Sequence, residues 1–308
     1  MIAMWAGITL PRLAALVRSP ESFCDVLSVP RRRDSKRPRR VYAAREELRL
    51  LQRAVALELA KHDHLLGEEV MGFRKRHSIF DNASYHAAHR PEWLLVMDVR
   101  EFFESISYES VEALLRSPEI GAPKVAAVIL ARAMTLNGRL VQGSRASPAI
   151  ANLVGRAIDL RIKNAISDLG VPVRYTRYAD DLSISSNTRP DRDLFEQCVE
   201  QAGFRVRPNS VRLSPRGTGQ YVTGLRIDDG AAQLPRAKRR ARERLFHLVA
   251  RFGVARFAKW NQFKSSKAAE NHLNGLIHWA RQGDTVVAAR WRQNLEEGLA
   301  KDSQIPVA

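Results

Sequence analysis

The sequence predicts an α+β fold, with helices packed beside an antiparallel sheet, and three features of the chain carry that expectation. First, Val173-Arg174-Tyr175-Thr176-Arg177 and Leu182-Ser183-Ile184-Ser185 alternate as strands do and flank Tyr178-Ala179-Asp180-Asp181. That pattern is a β-hairpin with two adjacent carboxylates at its tip. Second, Trp93-Leu94-Leu95-Val96-Met97 is a short apolar run that reads as a buried strand ending at Asp98. Third, apolar residues recur at spacings of three and four elsewhere, as in Leu48, Leu51, Val55 and Leu59.

Taken in order, residues 1 to about 30 read as small helices, with Pro30 as punctuation. Residues 46–62 form the helix that carries the stripe just named. After the strand at 93–97, Pro123 opens a helix running through Ala133, and residues 147–168 make a long one. There Ser147 is a good N-cap, Pro148 a good first helical residue, and Gly170 the stop. In the hairpin, Leu182 and Ile184 share the buried face because successive side chains point to opposite faces. Residues 190–202 form a further helix, in which Cys198 falls at a core spacing with Leu194 and Ala202. Residues 204–206 and 220–227 read as strands, Asp228-Asp229-Gly230 as a turn, and from Pro235 to about Ala300 the chain is helical.

Two side-by-side negative charges repel, and a fold keeps both ionised most readily against a strong positive charge, for which Mg²⁺ is the obvious candidate. Asp98 leaves a core strand at its end, where its side chain can face a cleft. If strand and hairpin share a sheet, Asp98, Asp180 and Asp181 form the carboxylate cluster with which phosphoryl-transfer enzymes hold two Mg²⁺ ions roughly 3.5–4 Å apart. Such ions take hard oxygen ligands, and the Val99 carbonyl is a further candidate. Alone, the Asp pair would be a hairpin turn and Asp98 a helix cap. Phosphate-loop, zincin and zinc-ribbon patterns have no counterpart in the chain.

At 308 residues and 45% hydrophobic, the chain can bury a substantial core, and its formal charge of +17 is a footprint of polyanion binding. That charge selects nucleic acid as partner without selecting catalysis. Basic residues concentrate at Arg31-Arg32-Arg33 with Lys36, Arg37, Arg39 and Arg40, and again at Arg236, Lys238, Arg239, Arg240, Arg242 and Arg244. Flanking the acidic cluster on both sides in sequence, these runs suit a phosphate backbone. Two cysteines, Cys24 and Cys198, are too few for a disulfide framework. Met1-Ile2-Ala3-Met4-Trp5 lacks the basic start of a secretory leader, and no apolar run approaches membrane-spanning length. A cytoplasmic protein without membrane association is expected.

With these residues in view, the chain resembles the reverse transcriptases, and among them the bacterial retron enzymes, from about residue 25 to about 300. Tyr178-Ala179-Asp180-Asp181 and the Asp98-x-x-x-Phe102-Phe103 box match the family's two metal-binding motifs. Gln142-Gly143-Ser144-Arg145-Ala146-Ser147-Pro148 looks like its Gln-Gly-x-x-x-Ser-Pro motif. Two narrower elements mark the retron enzymes: Asn82-Ala83-Ser84-Tyr85-His86 fits Asn-Ala-x-x-His, preceded by Gly72-Phe73-Arg74, and Val222-Thr223-Gly224 fits Val-Thr-Gly. Departures are also plain. Ser210 stands where the family usually has a Lys, a possible proton donor to the leaving group, and whether Arg207 or Arg212 substitutes is open. Ala44 stands at a usual proline.

The resemblance implies a right-hand polymerase: an N-terminal helical segment (1–30), fingers (31–92), an antiparallel-sheet palm with helical elements between its motifs (93–233) and a helical, RNA-binding thumb (234–308). It implies RNA-directed DNA polymerisation from dNTPs, with Asp98, Asp180 and Asp181 as catalytic metal ligands. Arg39 then contacts the triphosphate, Phe103 forms a steric gate against a ribose 2′-OH, Gln142 and Gly143 line the nucleotide site, and Tyr178 sits near the primer end. Asn82, His86, Val222, Thr223 and Gly224, with Arg236, Lys238, Arg239 and Arg240, are the candidates for RNA binding. The partners implied are a cognate structured noncoding RNA, primed from an internal 2′-OH, its branched RNA–DNA product, and an effector protein in antiphage defence. A group II intron or diversity-generating reverse transcriptase, or a scaffold restraining a toxic effector, are the alternative readings.

Overall fold

The computed structural model describes residues 2–29 and 38–303, with the Arg39 side chain outside the described set. In chain order, α1 (Ile2–Ala6), α2 (Leu10–Arg18) and a 3-10 turn lead into β1 (Cys24–Val29) and β2 (Arg39–Ala44). Then come α3 (Glu46–Leu59), α4 (Ile79–Ala87), β3 (Trp93–Asp98), α5 (Tyr108–Arg116) and α6 (Lys124–Met134). A small hairpin, β4 (Thr135–Leu136) and β5 (Arg139–Leu140), precedes α7 (Ser147–Asp168), β6 (Val173–Tyr178) and β7 (Asp181–Ser186). Next are α8 (Arg192–Gln201), β8 (Arg212–Pro215), β9 (Tyr221–Val222) and β10 (Leu225–Arg226). Four helices follow: α9 (Arg236–Phe252), α10 (Val254–Trp260), α11 (Ser266–Arg281) and α12 (Thr285–Ser303). None of the described helices is long and apolar enough to cross a membrane. The chain forms two compact units, Met1–His77 with Pro91–Thr218, and Ser78–Arg90 with Gly219–Ala308.

The first unit is built on a four-stranded antiparallel sheet in the order β6-β7-β3-β8. Leu95 and Met97 of β3, Leu182 and Ile184 of β7 and Tyr175 of β6 join one core with Ile150, Ile158 and Ile162 of α7 and with Leu48, Leu51 and Val55 of α3. Glu46 and Glu47 lie in the first turn of α3, where carboxylates complement the helix dipole.

In this unit four local expectations need correction. Residues 24–29 form a strand paired along its length with β2, not a helix, because Asp25 to Val29 is an exposed extended ribbon that an apolar stripe does not describe. Ser147 is the first helical residue and Ala146 the cap; the Ser147 hydroxyl instead donates to the Val141 carbonyl at 2.7 Å. In β7, Ser183 and Ser185 are buried as well as Leu182 and Ile184, because an interior strand has both faces covered. The strand expected at 204–206 reduces to a bridge between Val206 and Val99, and the sheet's fourth strand is β8, an edge strand specified by its partner β3.

In the second unit, α4 begins with a capping box: the Ser78 hydroxyl accepts the Asp81 N–H, and the Asp81 carboxylate accepts the Ser78 N–H at 2.7 Å. The single strand expected over 220–227 is split into β9 and β10, because Thr223 (φ +46°) and Gly224 (φ +78°) turn the chain. Helices α9 to α12 bury Val249, Phe257, Leu273, Ile277 and Leu295 around Phe246, whose ring stacks on Trp291 with centroids 4.8 Å apart.

The β6–β7 hairpin hangs on a fully buried cation. Arg177 is 0% exposed, and its guanidinium grips Asp159 of α7 at both ends, Nε donating at 2.8 Å and Nη2 at 2.7 Å. Nη1 donates to the Asn152 side-chain oxygen at 3.1 Å and Nη2 to the Asn152 carbonyl at 3.2 Å. Tyr175 donates its hydroxyl to Asp159 at 2.8 Å. Burial works against the Arg177 charge, and the Asp159 carboxylate outweighs it, leaving the pKa raised. Gly155 makes room, since a Cβ there would stand 3.0 Å from the guanidinium carbon. Asp159→Ala leaves this guanidinium buried without its counter-charge, so unfolding in denaturant should reveal a loss of about 3–5 kcal/mol.

Candidate active site

Strand pairing brings the sequence-distant acids to one end of the sheet. In the β3–β7 register, Asp98 lies opposite Asp181 and Met97 opposite Leu182. The Val99 N–H donates to the Asp180 carbonyl at 2.8 Å, which fastens the hairpin tip to the strand end. Between Tyr178 and Asp180 the turn passes through Ala179 at φ +59°, a left-handed conformation that costs a non-glycine residue energy.

That turn is held from behind. Arg177 N–H donates to the Glu69 carbonyl at 2.8 Å, and Met71 N–H to the Arg177 carbonyl at 2.8 Å. Gly72 presses so closely on the turn that a Cβ would lie 2.3 Å from the Ala179 nitrogen. The Asn152 amide donates to the Gly72 carbonyl at 2.8 Å, so the residue that binds Arg177 also fixes the glycine under the acidic tip.

Electrostatics tie the carboxylates together. The Asp181 pKa is pushed up to about 7, first by desolvation among surrounding protein atoms, although the residue as a whole keeps surface exposure, and then by the charges of Asp180 and Asp98, with Arg207 opposing. Arg207 Nη2 stands 3.0 Å from Asp98 Oδ1. Its backbone N–H donates to the Asp98 carbonyl at 2.7 Å. Ser210 completes the turn, its Oγ accepting the Asp98 N–H at 3.2 Å and donating to the Arg207 carbonyl at 2.8 Å. The residue in the usual Lys position therefore buttresses Asp98, and the charge nearest Asp98 comes from Arg207.

As these side chains stand, no three His, Cys, Asp or Glu groups among the described residues are arranged to hold a metal ion. The donor chemistry nevertheless suits a hard divalent cation: carboxylate oxygens crowded so that desolvation, and then mutual repulsion, raise Asp181 are the groups such an ion neutralises.

The remaining site residues fall as follows. Phe102 is the core aromatic, its ring centroid 5.7 Å from that of Phe204, whereas Phe103 is half-buried, 6.0 Å from the ring of Phe73. Gly143 (φ +103°) is exposed, and the close approach it allows is to protein: a Cβ would lie 2.5 Å from the Tyr42 carbonyl oxygen. The Tyr42 N–H donates to the Gln142 carbonyl at 2.8 Å, joining this loop to β2, which carries the Arg39 backbone. Tyr178 is half-buried beside the acids. The Arg39 side chain and the run 31–37 lie outside the described residues.

All the candidate RNA-binding residues belong to the second unit. Asn82 and His86 on α4 and Val222 on β9 are 0% exposed, so their side chains shape that unit's interior and do not face solvent. Thr223 Oγ1 donates to the Ile79 carbonyl at 3.0 Å, bringing together two elements 144 residues apart in sequence. Arg236, Lys238, Arg239 and Arg240 at the start of α9 are exposed.

The chain is similar in sequence to known proteins of one kind. The family model described as "Reverse transcriptase (RNA-dependent DNA polymerase)" matches residues 29–221. The retron Ec86 reverse transcriptase of Escherichia coli is 27% identical over 247 residues, covering 78% of this chain and 75% of the relative. The retron Mx65 enzyme of Myxococcus xanthus is 29% identical, covering 85% and 62%. The retron Ec83 enzyme of Escherichia coli is 25% identical, covering 94% and 93%.

Two outcomes follow from the site's geometry. Gly72→Ala places a methyl group against the Ala179 backbone, so the hairpin tip must shift; primer extension should fall at least tenfold while the circular dichroism spectrum is retained. For Asp181, a folded-state pKa of about 7 against an ordinary 3.8 means that ionisation weakens the fold. The penalty is absent near pH 4, grows as pH rises, and is complete above pH 7. In chelator, Asp181→Asn should therefore raise the melting temperature at pH 8, with the gain vanishing towards pH 4.

Proposed function

The chain belongs to the reverse transcriptase family and is an RNA-directed DNA polymerase, and from that premise we propose a retron-type enzyme that copies a cognate structured noncoding RNA into branched single-stranded DNA. The observation that carries the catalytic part of this reading is the register of Asp98 opposite Asp181 at the tip of a hairpin held rigid from behind. Enzymes of the family use divalent metal ions, and the ions proposed here are two Mg²⁺ held by Asp98, Asp180 and Asp181 with the Val99 carbonyl. Bound there, they would supply the charge that activates the primer hydroxyl and relieves the leaving pyrophosphate.

What the protein contributes is position. The buried Arg177–Asp159 pair and the Gly72 contact keep the acidic tip from drifting, and catalysis tolerates little displacement of reacting groups. Phe103, half-buried and five residues after Asp98, suits a gate that excludes a 2′-OH. Arg39 on β2 and the Gln142-Gly143 loop hydrogen-bonded to that strand form the proposed nucleotide site, with Tyr178 towards the primer end. In this reading the fingers are residues 31–92, the palm 93–233 and the thumb 234–308, with residues 78–90 packed among the C-terminal elements.

The exposed basic start of α9, at Arg236, Lys238, Arg239 and Arg240, is the proposed RNA contact. Asn82, His86, Val222, Thr223 and Gly224 would act indirectly, by building the scaffold that presents it. RNA is read through shape, loops and 2′-OH groups, which suits a rigid basic surface. Priming from an internal 2′-OH, a partner effector, a role in antiphage defence and action in the cytoplasm complete the proposal, on the strength of the retron relatives.

The test is direct. The purified protein should extend a primer on an RNA template and should carry branched RNA–DNA from its host. Asp180→Asn should abolish extension while leaving RNA binding intact. Retained extension would reject the carboxylate assignment, and linear DNA alone would reject the retron reading.

A further inference from the structure

The segment after α8 is stitched to the end of β3 by backbone. Arg100 N–H donates to the Arg205 carbonyl at 2.8 Å, Val206 bridges to Val99, and Arg207 N–H donates to the Asp98 carbonyl at 2.7 Å. Ser210 locks the turn by bonding both Asp98 and Arg207. The root of Arg207 is thus fixed, while its side chain remains 40% exposed. A planar guanidinium on a flexible stem can swing from such a root without disturbing the backbone. In the position described it lies 3.0 Å from Asp98 Oδ1, on one of the carboxylates proposed to receive the divalent ions.

We infer that Arg207 is a tethered counter-ion: its guanidinium holds the positive position beside Asp98 while the carboxylates lack a divalent cation, and gives that position up when the cation binds. The inference rests on the metal-centre reading above and adds a competitor to it. Two positive charges cannot share the Asp98 oxygens cheaply, and a divalent ion outbids a singly charged, delocalised one for hard oxygen ligands. The arrangement offsets part of the repulsion among the acids when no divalent cation is bound, at the cost of weakening metal affinity.

The sign of one measurement separates this role from others. Mn²⁺ binding to the full chain, without nucleotide, is followed by loss of the free-ion paramagnetic resonance signal, and thermal unfolding is recorded in chelator and in saturating Mn²⁺. Arg207→Gln should bind Mn²⁺ about tenfold more tightly, the scale of removing one charge close to a divalent ion. It should also melt lower than wild type in chelator at pH 8, with the difference closing in Mn²⁺. Arg207→Lys, which keeps the charge, should stay near wild type in both. Weaker binding by Arg207→Gln would mean that Arg207 merely positions Asp98, and unchanged binding that the pair is a solvated contact; either result overturns the inference. Asp180→Asn separates the two levels: if it binds Mn²⁺ as well as wild type does, the metal-centre reading itself fails.

Discussion

The buried ion pair between Arg177 and Asp159 is the constraint on which the active end of the first unit depends. A guanidinium with no exposed surface is tolerable only where nearly all its donors are met, and here one carboxylate, one side-chain amide and one main-chain carbonyl meet them. The partners come from a single helix face, Asn152 and Asp159 lying seven residues apart on α7. Through them the long helix dictates where the hairpin sits. The pair contributes specificity of placement more than net stability, because much of its attraction is spent on desolvation.

From that anchor the order propagates in two directions. Along β6, the backbone at Arg177 pairs with Glu69 and Met71, which brings Gly72 under Ala179 and sets the strained turn. Across the sheet, β7 carries Asp181 to Asp98, and the end of β3 is in turn buttressed by Ser210 and Arg207. The acidic tip is consequently clamped on both sides by main-chain hydrogen bonds, with the buried Arg177–Asp159 pair anchoring them from behind.

Much of this was legible in the sequence because the signals were local. A hairpin flanked by alternating residues, an apolar run ending in Asp98, and a Ser-Pro start to a 22-residue helix each fix their element within a few residues. What escaped was set by partners. β8 has too little periodicity to be read without β3 beside it, and β1 is an exposed ribbon with meaning only against β2. Arg177 reads as one polar position in an alternating strand, and nothing local says that it is buried. Asp159 sits in a helix where an acidic residue is unremarkable. Gly72 lay within a recognised motif and Asn152 within the predicted long helix, but that they meet each other is information about tertiary contact. Asn82, His86 and Val222 are the converse: their motifs mark them for attention, and the sequence carries no sign that all three are buried.

The path of the backbone has one further implication. Helix α4 is separated from the rest of the second unit by well over a hundred residues, yet it packs with β9 and β10, and Thr223 bonds its first turn. The polypeptide therefore passes from one unit to the other at three points, near residues 77, 90 and 218. A cut at any one of them does not release a whole lobe, and the C-terminal piece alone would lack a wall of its own core. Inheritance follows the same arithmetic: for natural recombination to pass this lobe between relatives intact, two distant stretches of the gene must travel together.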